Sequence, residues 1–147
     1  ARPSHVYGPG FSEGDERVYA EFIRDVIGGD DRVMKSAGLK FRSWCYVVDC
    51  ASALLYILLN GESGKAYNIA DESSNKTIRE LAIMVADIGG RQLRVELPPD
   101  AAATGGTPIT KAVFDTSRLR GLGWSVDGTM EEKMRATIEE AARQAEA

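Results

Sequence analysis

The apolar run Cys50–Leu59 constrains the fold of this chain more than any other part of its sequence. Ten residues are too few to cross a membrane, and Ser52 interrupts the run. Asp49 precedes it and is predicted to cap a helix, while Trp44–Val48, just upstream, has the composition of a strand. A helix that is apolar nearly all round is typical of a buried element. We therefore predict a strand that leads into a deeply buried helix.

The other predicted elements alternate between strand and helix. Thr77 with Glu80 and Thr129 with Glu132 have the spacing of capping boxes, and each should begin an amphipathic helix. The remaining predicted strands are residues 3–7, 32–36, 66–70 and 92–97, and the other helical segments are residues 15–27 and 117–121. Pro98-Pro99 should end the last strand and lead into a loop at 99–110. This alternation favours an α/β fold. Because the predicted strands are few and short for an independent sheet, we expect them to complete a larger one.

Composition excludes several classes of function. The chain has 147 residues, enough for one domain, and a net charge of −4, which argues against a nucleic-acid surface. Its two cysteines, Cys45 and Cys50, read as reduced thiols of a cytoplasmic protein. The only histidine, His5, is distant from both in sequence, so we predict no metal site. No signal-like segment opens the chain, and because it begins with Ala1-Arg2-Pro3 and not with an initiator Met, we expect it to be part of a longer polypeptide.

Two polar residues on predicted strands are candidate ligand contacts. The planar guanidinium of Arg42 suits bidentate contact with a phosphate, but the residue could equally form a surface ion pair. Asn68 lies within an apolar strand, where its amide could bond the backbone or a ligand. The residues alone leave both alternatives open.

Several segments in the same order resemble the extended short-chain dehydrogenase/reductase family, in its NAD-dependent sugar-nucleotide epimerase/dehydratase branch. The resemblance covers nearly the whole chain. It rests on the stretch Arg2–Gly10, on Gly38 with Arg42 through Asp49 in a Gly-x-x-x-Arg-x-x-x-x-Val-x-Asp pattern, on Tyr67-Asn68-Ile69, on the Thr77 capping box, and on Phe114–Leu119 with Leu122-Gly123-Trp124.

The resemblance implies a fold and a division of labour. The chain would be the C-terminal, substrate-binding portion of a Rossmann-type enzyme, with residues 1–10 and 66–70 supplying the last strands of the parent parallel sheet. The catalytic Ser/Thr, Tyr and Lys would lie upstream of Ala1, because no Tyr-x-x-x-Lys occurs in this sequence. NAD would be bound mainly by that upstream part, so this chain alone should be inactive.

The resemblance also implies residue roles. Arg42 and Asn68 would contact the diphosphate of a sugar nucleotide, and Val33 and Lys35 would pack its base. Pro3, Ser4 and His5 would line the nicotinamide end of NAD, with His5 also near the sugar, where many members carry Asn. Lys35 replaces an aromatic residue common in the base pocket, and Lys111 is the nearest substitute for a second phosphate-binding arginine.

The implied function is that of an NAD-dependent isomerase or lyase. The whole protein would resemble a UDP-glucose 4-epimerase or a dTDP-glucose 4,6-dehydratase and would act as a homodimer. The alternative is a catalytically inactive binding or regulatory module of the same fold. A relative that shares only the fold, with Arg42 in a surface ion pair, is the third hypothesis.

Overall fold

The computed structural model describes residues 1–97 and 109–146. The strands in these ranges are β1 (Arg2–Pro3), β2 (His5–Tyr7), β3 (Arg32–Met34), β4 (Phe41–Tyr46), β5 (Asn68–Ile69), β6 (Asp71–Thr77), β7 (Leu93–Val95) and β8 (Lys111–Ala112). The helices are α1 (Val18–Gly28), α2 (Val47–Asn60), α3 (Ile78–Ile88), α4 (Ser117–Arg120) and α5 (Met130–Ala145). The predicted Pro98-Pro99 break and most of the predicted loop 99–110 lie outside these ranges.

Strand β4 is the centre of the largest sheet. It pairs antiparallel with β6 along one edge, with a register shift between Arg42 and Trp44. Along the other edge its first residues pair in parallel with β8 and its last residues with β2. Strand β6 could not be predicted from the sequence, because its residues, Asp71–Thr77, are nearly all polar and have little intrinsic preference for a strand.

The other strands form two short parallel pairs. In one, β1 lies beside β5, with Arg2 opposite Asn68, and in the other β3 lies beside β7, with Val33 opposite Arg94. Parallel pairing of strands joined through helices is the signature of an α/β protein, and the predicted class is confirmed.

Two hydrophobic clusters hold these elements together. The larger lies where α1, α3 and α5 pack on one side of the β4 sheet; its most deeply buried large side chains are Tyr7, Phe22, Ile23, Trp44, Leu81, Val85 and Met134. The smaller joins α2 and α4 to the β1–β5 pair; its members are Cys45, Cys50, Ala53, Tyr67, Ile69, Leu119 and Trp124. The strands that carry Arg42 and His5 therefore have packed helices on both sides.

The predicted helix boundaries are largely correct where local chemistry sets them. Both capping boxes form, with the Thr77 hydroxyl accepting from the Glu80 amide and the Thr129 hydroxyl from the Glu132 amide. Helix α1 ends at Gly29, whose φ of 87° lies in the left-handed region that glycine adopts without strain.

Helix α2 corrects the sequence analysis in two ways. It begins at Val47 rather than Cys50, so Asp49 lies inside its first turn and does not cap it, and the preceding strand runs over Phe41–Tyr46 rather than Trp44–Val48. The prediction of deep burial is also wrong, because only Cys50 and Ala53 of the helix are buried. The described part of the chain covers one face of α2 and leaves the opposite apolar face exposed.

Candidate functional site

Arg42 is buried at the point where β4 meets β8. Only 5% of its surface is exposed. Its Nη1 donates to the carbonyl oxygens of Phe41 at 2.9 Å and Thr110 at 3.3 Å, and its Nη2 donates to the carbonyl oxygen of Ile109 at 2.8 Å. These three bonds fix the orientation of the guanidinium and tie it to the start of β8.

The guanidinium retains donor capacity after these bonds. Of its five N–H donors, the Nε–H and one Nη2–H have no partner among the described residues. No carboxylate in the described part of the chain lies within ion-pair distance of Arg42, and the partners it has there are carbonyl dipoles. Within the described residues, Arg42 therefore does not form the surface ion pair that the sequence left open. A buried, oriented cation with two donors that no described residue engages is suited to a phosphate or carboxylate ligand.

His5 lies close to Arg42 because β2 pairs with the second half of β4. His5 is opposite Trp44 in the register, and their ring centroids are 5.3 Å apart. Partial burial and then the positive charge of Arg42 lower the pKa of His5 from 6.5, against an opposing backbone hydrogen bond with Ser43. The imidazole is therefore mainly neutral at pH 7 and can both donate and accept a hydrogen bond. His5 and Trp44 also line a cleft of about 290 Å³ together with Tyr19.

Ser43 supports this region from the opposite face of β4, and the sequence analysis did not identify it. Its fully buried hydroxyl donates to Asn75 Oδ1 at 2.7 Å and accepts from the Phe114 amide at 2.9 Å. The hydroxyl thereby links β4 to β6 and to the segment after β8. A serine between Arg42 and Trp44 on an apolar strand was the available signal, since a buried hydroxyl needs partners.

Lys111 does not share the face of Arg42. In the parallel register of β4 and β8, Arg42 is opposite Ala112, and Lys111 is opposite Phe41. Because side chains alternate along a strand, Lys111 projects from the other face of the sheet. It therefore does not stand in for a second phosphate-binding arginine beside Arg42.

Pro3 and Ser4 lead from β1 into β2. Pro3 is exposed and pairs with Ile69, and the Ser4 amide donates to the Ile69 carbonyl oxygen at 2.9 Å. The Ser4 hydroxyl is buried and has no hydrogen-bond partner in the described part of the chain. Such an orphaned group fits a position that a bound polar ligand would complete.

The other predicted site residues lie elsewhere. Asn68 Nδ2 donates to the Asp115 carbonyl oxygen at 3.0 Å, so the structure favours the backbone alternative for its amide. Val33 is half-buried in the β3–β7 pair, and Lys35 is exposed just after the end of β3. The structure thus brings His5 and Arg42 together, whereas Asn68, Val33 and Lys35 share no strand pairing with Arg42 in the described ranges.

The cysteines and the larger groove add no second site. Cys45 and Cys50 are free and buried, and burial raises the pKa of the Cys45 thiol to about 12, which keeps it protonated. Within residues 1–97 and 109–146, no three His, Cys, Asp or Glu side chains are grouped to hold a metal ion. A groove of about 630 Å³ between α3 and α5 holds none of the predicted site residues, and its charges of both signs include Glu80, Asp87 and Arg135.

No helix in the described ranges is long and apolar enough to span a membrane.

Comparisons with known proteins agree with the resemblance. Residues 1–70 match the model of the NAD dependent epimerase/dehydratase family. The chain is 31% identical over 144 residues to dTDP-4-dehydro-6-deoxy-D-allose reductase of Streptomyces sp, covering 97% of this chain and 41% of the reductase.

Solved structures share the fold. UDP-glucose 4-epimerase of Thermotoga maritima, solved with UDP-glucose, superposes with a TM-score of 0.82 at 23% identity. The match covers 98% of this chain and 45% of the epimerase. dTDP-glucose 4,6-dehydratase of Bacillus anthracis, solved in complex with NAD, superposes with a TM-score of 0.80 at 21% identity. The match covers 99% of this chain and 44% of the dehydratase. The chain thus spans less than half the length of the proteins it matches. The chain has the α/β fold of these solved epimerases and dehydratases, and its first 70 residues match the model of the NAD dependent epimerase/dehydratase family.

Proposed function

We propose that this chain is the substrate-binding part of an NAD-dependent sugar-nucleotide epimerase or dehydratase, and that Arg42 anchors the diphosphate of the substrate. The observation that carries the proposal is the buried guanidinium, which three carbonyl oxygens hold and of which two donors have no partner in residues 1–97 and 109–146. A diphosphate oxygen pair matches such a fork better than a point charge would.

The role of Arg42 in this proposal is positioning. A diphosphate held at the start of β4 would direct the attached sugar along the sheet toward His5, which the β2–β4 register places two residues further on. Binding energy from the remote diphosphate would orient the reacting sugar and lower the entropic cost of reaction. Because the single N–H of the neutral His5 imidazole is engaged with the Ser43 backbone, its other ring nitrogen can accept a hydrogen bond from a sugar hydroxyl.

Pro3, Ser4 and His5 are the residues of this chain that we assign to NAD. The orphaned Ser4 hydroxyl supports the assignment, because a polar group of the cofactor would satisfy it. When bound, NAD supplies hydride transfer, and this chain contributes one wall beside it. The residues that move the substrate proton would lie in the nucleotide-binding part, outside this chain.

The proposal includes the nature of the whole protein. It would be a cytoplasmic isomerase or lyase and a homodimer; free thiols at Cys45 and Cys50 support the reducing compartment. The Thermotoga maritima epimerase was solved with UDP-glucose, which supports a nucleotide-sugar as the ligand class. Val33, Lys35 and Asn68 remain assigned to the substrate, with the base beside the first two.

A catalytically inactive binding module is the second candidate. The absence of a Tyr-x-x-x-Lys motif from these 147 residues is compatible with both candidates. Such a module would bind the same diphosphate through Arg42 without turnover in any longer form of the protein.

The test is a titration of the ¹⁵N-labelled chain with UDP or dTDP, monitored by backbone amide shifts, with uridine as the phosphate-free control. We expect saturable shifts near Arg42 and His5 with the nucleotides only. Arg42→Ala should weaken binding by roughly 2–4 kcal/mol, and Arg42→Lys should recover only part.

Arg118→Ala is the matched control, because Arg118 also donates to a backbone carbonyl oxygen, that of Ala66 at 2.7 Å, but is exposed. It should leave nucleotide binding unchanged. Equal losses in the Arg42 and Arg118 variants, or shifts with uridine equal to those with UDP, would refute the assignment of Arg42.

A further inference from the structure

The hydrogen-bond ladder between β4 and β6 is irregular opposite Ser43. On β4, Ser43 alone separates Arg42 from Trp44, whereas on β6 the residues paired with these two are separated by residues 72–75. Bulges of this kind place residues outside the regular ladder and re-aim side chains, and they are over-represented beside active sites. The extra residues of β6 therefore lie next to the part of β4 that carries Arg42.

A buried carboxylate holds the extra residues of β6. Asp71 is 3% exposed. It accepts hydrogen bonds from the Ser73 amide at 3.0 Å, from the Ser73 hydroxyl at 2.6 Å and from the buried Ser74 hydroxyl. Hydrogen bonds to an ionised carboxylate are stronger than those between neutral groups. These bonds fix the path of β6 and hold Asn75, the next residue, beside Ser43.

Ser43 transmits this constraint across β4. Its hydroxyl donates to Asn75 Oδ1 at 2.7 Å and accepts from the Phe114 amide at 2.9 Å. A hydroxyl has one proton, and because the Asn75 oxygen accepts it, a lone pair remains for the Phe114 amide. Ser43 has no exposed surface, so bulk water does not substitute for either partner.

The segment 109–114 is held from both faces of β4. On one face, the Ser43 hydroxyl bonds the last residue of the segment. On the other face, the Arg42 guanidinium bonds the carbonyl oxygens of the first two residues, Ile109 and Thr110. Between these points the segment pairs with β4 only through the two residues of β8. The oxygens that orient Arg42 therefore depend on the Ser43 bond for their position.

We propose that Ser43 and Asn75 are positioning residues for the diphosphate site. They hold residues 109–114 in place, and the carbonyl oxygens of that segment then aim the guanidinium of Arg42 at the substrate. Neither side chain contacts the ligand, since both act through Arg42. The inference rests on the proposed function, because the diphosphate is the ligand whose affinity the pair sets. A guanidinium held in its bound orientation loses less entropy on binding than a mobile one, so it binds more tightly.

The test uses variants of Asn75 in the ¹⁵N-labelled chain. Asn75→Leu keeps the size of the side chain but removes the acceptor, whereas Asn75→Asp keeps the acceptor. One readout is the dissociation constant for UDP. The other is the heteronuclear NOE of the Arg42 Nε–H group in the free chain, which reports how rigidly the guanidinium is held. Thr137→Val is the matched control, because it removes another fully buried hydroxyl, which bonds the Lys133 carbonyl oxygen within α5 at 2.7 Å.

We expect Asn75→Leu to weaken UDP binding about 3- to 10-fold, the scale of one buried neutral hydrogen bond, and to lower the NOE of Arg42. Asn75→Asp should keep both near their wild-type values, and Thr137→Val should change stability alone. Ser43→Ala breaks the same hydrogen-bond chain and should reproduce Asn75→Leu, so it replaces that variant if Asn75→Leu does not fold.

Wild-type affinity or an unchanged NOE in the Asn75→Leu and Ser43→Ala variants overturns the proposal. So does an equal loss in Thr137→Val, or a loss in Asn75→Asp as large as that in Asn75→Leu. If the wild-type chain does not bind UDP, the proposed function fails, and the NOE alone then decides whether the pair positions Arg42.

Discussion

Gly38 controls how the chain enters β4, and its replacement by alanine is a quantitative test of the packing around Arg42. Gly38 has a φ of +66°, and an added Cβ would lie 2.5 Å from Met34 Cε and 2.9 Å from the backbone nitrogen of Arg79. The methionine tip can move, but the backbone of α3 cannot do so cheaply, because the Arg79 amide donates to the Gly38 carbonyl oxygen at 3.0 Å.

The expected cost of Gly38→Ala has two parts. The left-handed conformation costs an alanine about 1–2 kcal/mol, and the contact with Arg79 adds about 1–3 kcal/mol of overpacking. Alanine also lowers the conformational entropy of the unfolded chain, which stabilises the folded state by about 0.4–1 kcal/mol and offsets part of this cost. We therefore expect a net loss of roughly 2–4 kcal/mol in the free energy of unfolding.

Gly90→Ala is the matched control for Gly38→Ala. Gly90 has a φ of +64°, but no atom lies within 4 Å of its added Cβ, so only the conformational part applies. Urea denaturation of both variants measures the difference, which we expect to be about 1–3 kcal/mol. Equal free energies of unfolding for the two variants would show that the β4–α3 junction is looser than described, and the structural reasoning around Arg42 would fail.

Two further predictions concern single side chains, and a third concerns the chain as a whole. Tyr7→Phe should leave the free energy of unfolding unchanged or raise it by up to about 1–2 kcal/mol, because the buried Tyr7 hydroxyl has no hydrogen-bond partner among the described residues. A loss above about 1 kcal/mol in thermal unfolding would show that the hydroxyl does have a partner. Lys133→Met should lower the free energy of unfolding by about 1–3 kcal/mol, because it removes the ammonium that lies 2.7 Å from the partly buried carboxylate of Asp49. The double variant with Asp49→Asn should recover part of that loss in urea denaturation. The chain alone should bind NAD weakly and should not turn over UDP-glucose or dTDP-glucose, and measurable turnover in a coupled assay would contradict the division of labour.

The features that could be predicted from sequence are those set by neighbouring residues. Thr77 and Thr129 form their capping boxes because each hydroxyl, carboxylate and amide lies within one helical turn. Gly29 ends α1 for a similarly local reason. The α/β class follows from the alternation of such elements, and the motif around Arg42 carries the resemblance to the epimerase/dehydratase family before any contact is known.

The features that could not be predicted depend on distant contacts. The partners of Arg42 include two carbonyl oxygens more than 60 residues away, those of Ile109 and Thr110, and no local pattern specifies them. Asn68 bonds the Asp115 carbonyl oxygen for the same reason. The exposure of α2 shows the limit most clearly, because an apolar helix implies burial but its sequence does not say which layer covers it.

The pKa of His5, measured by NMR with and without UDP, tests the central claim about Arg42 most directly. His5 is the only histidine of the chain, so its imidazole signals are unambiguous, and the charge of Arg42 helps to hold its pKa below 6.5. A diphosphate bound at Arg42 adds negative charge beside the imidazole and should raise the pKa of His5.

Arg42→Ala should raise the pKa of His5 in the free chain, because a nearby positive charge is lost, and should abolish the further rise with UDP. Lys111→Ala, on the opposite face of the sheet, is the control and should preserve both values. An equal rise with saturating UDP in the wild-type chain and the Arg42→Ala variant would contradict the account. So would an unchanged pKa of His5 when UDP saturates the wild-type chain.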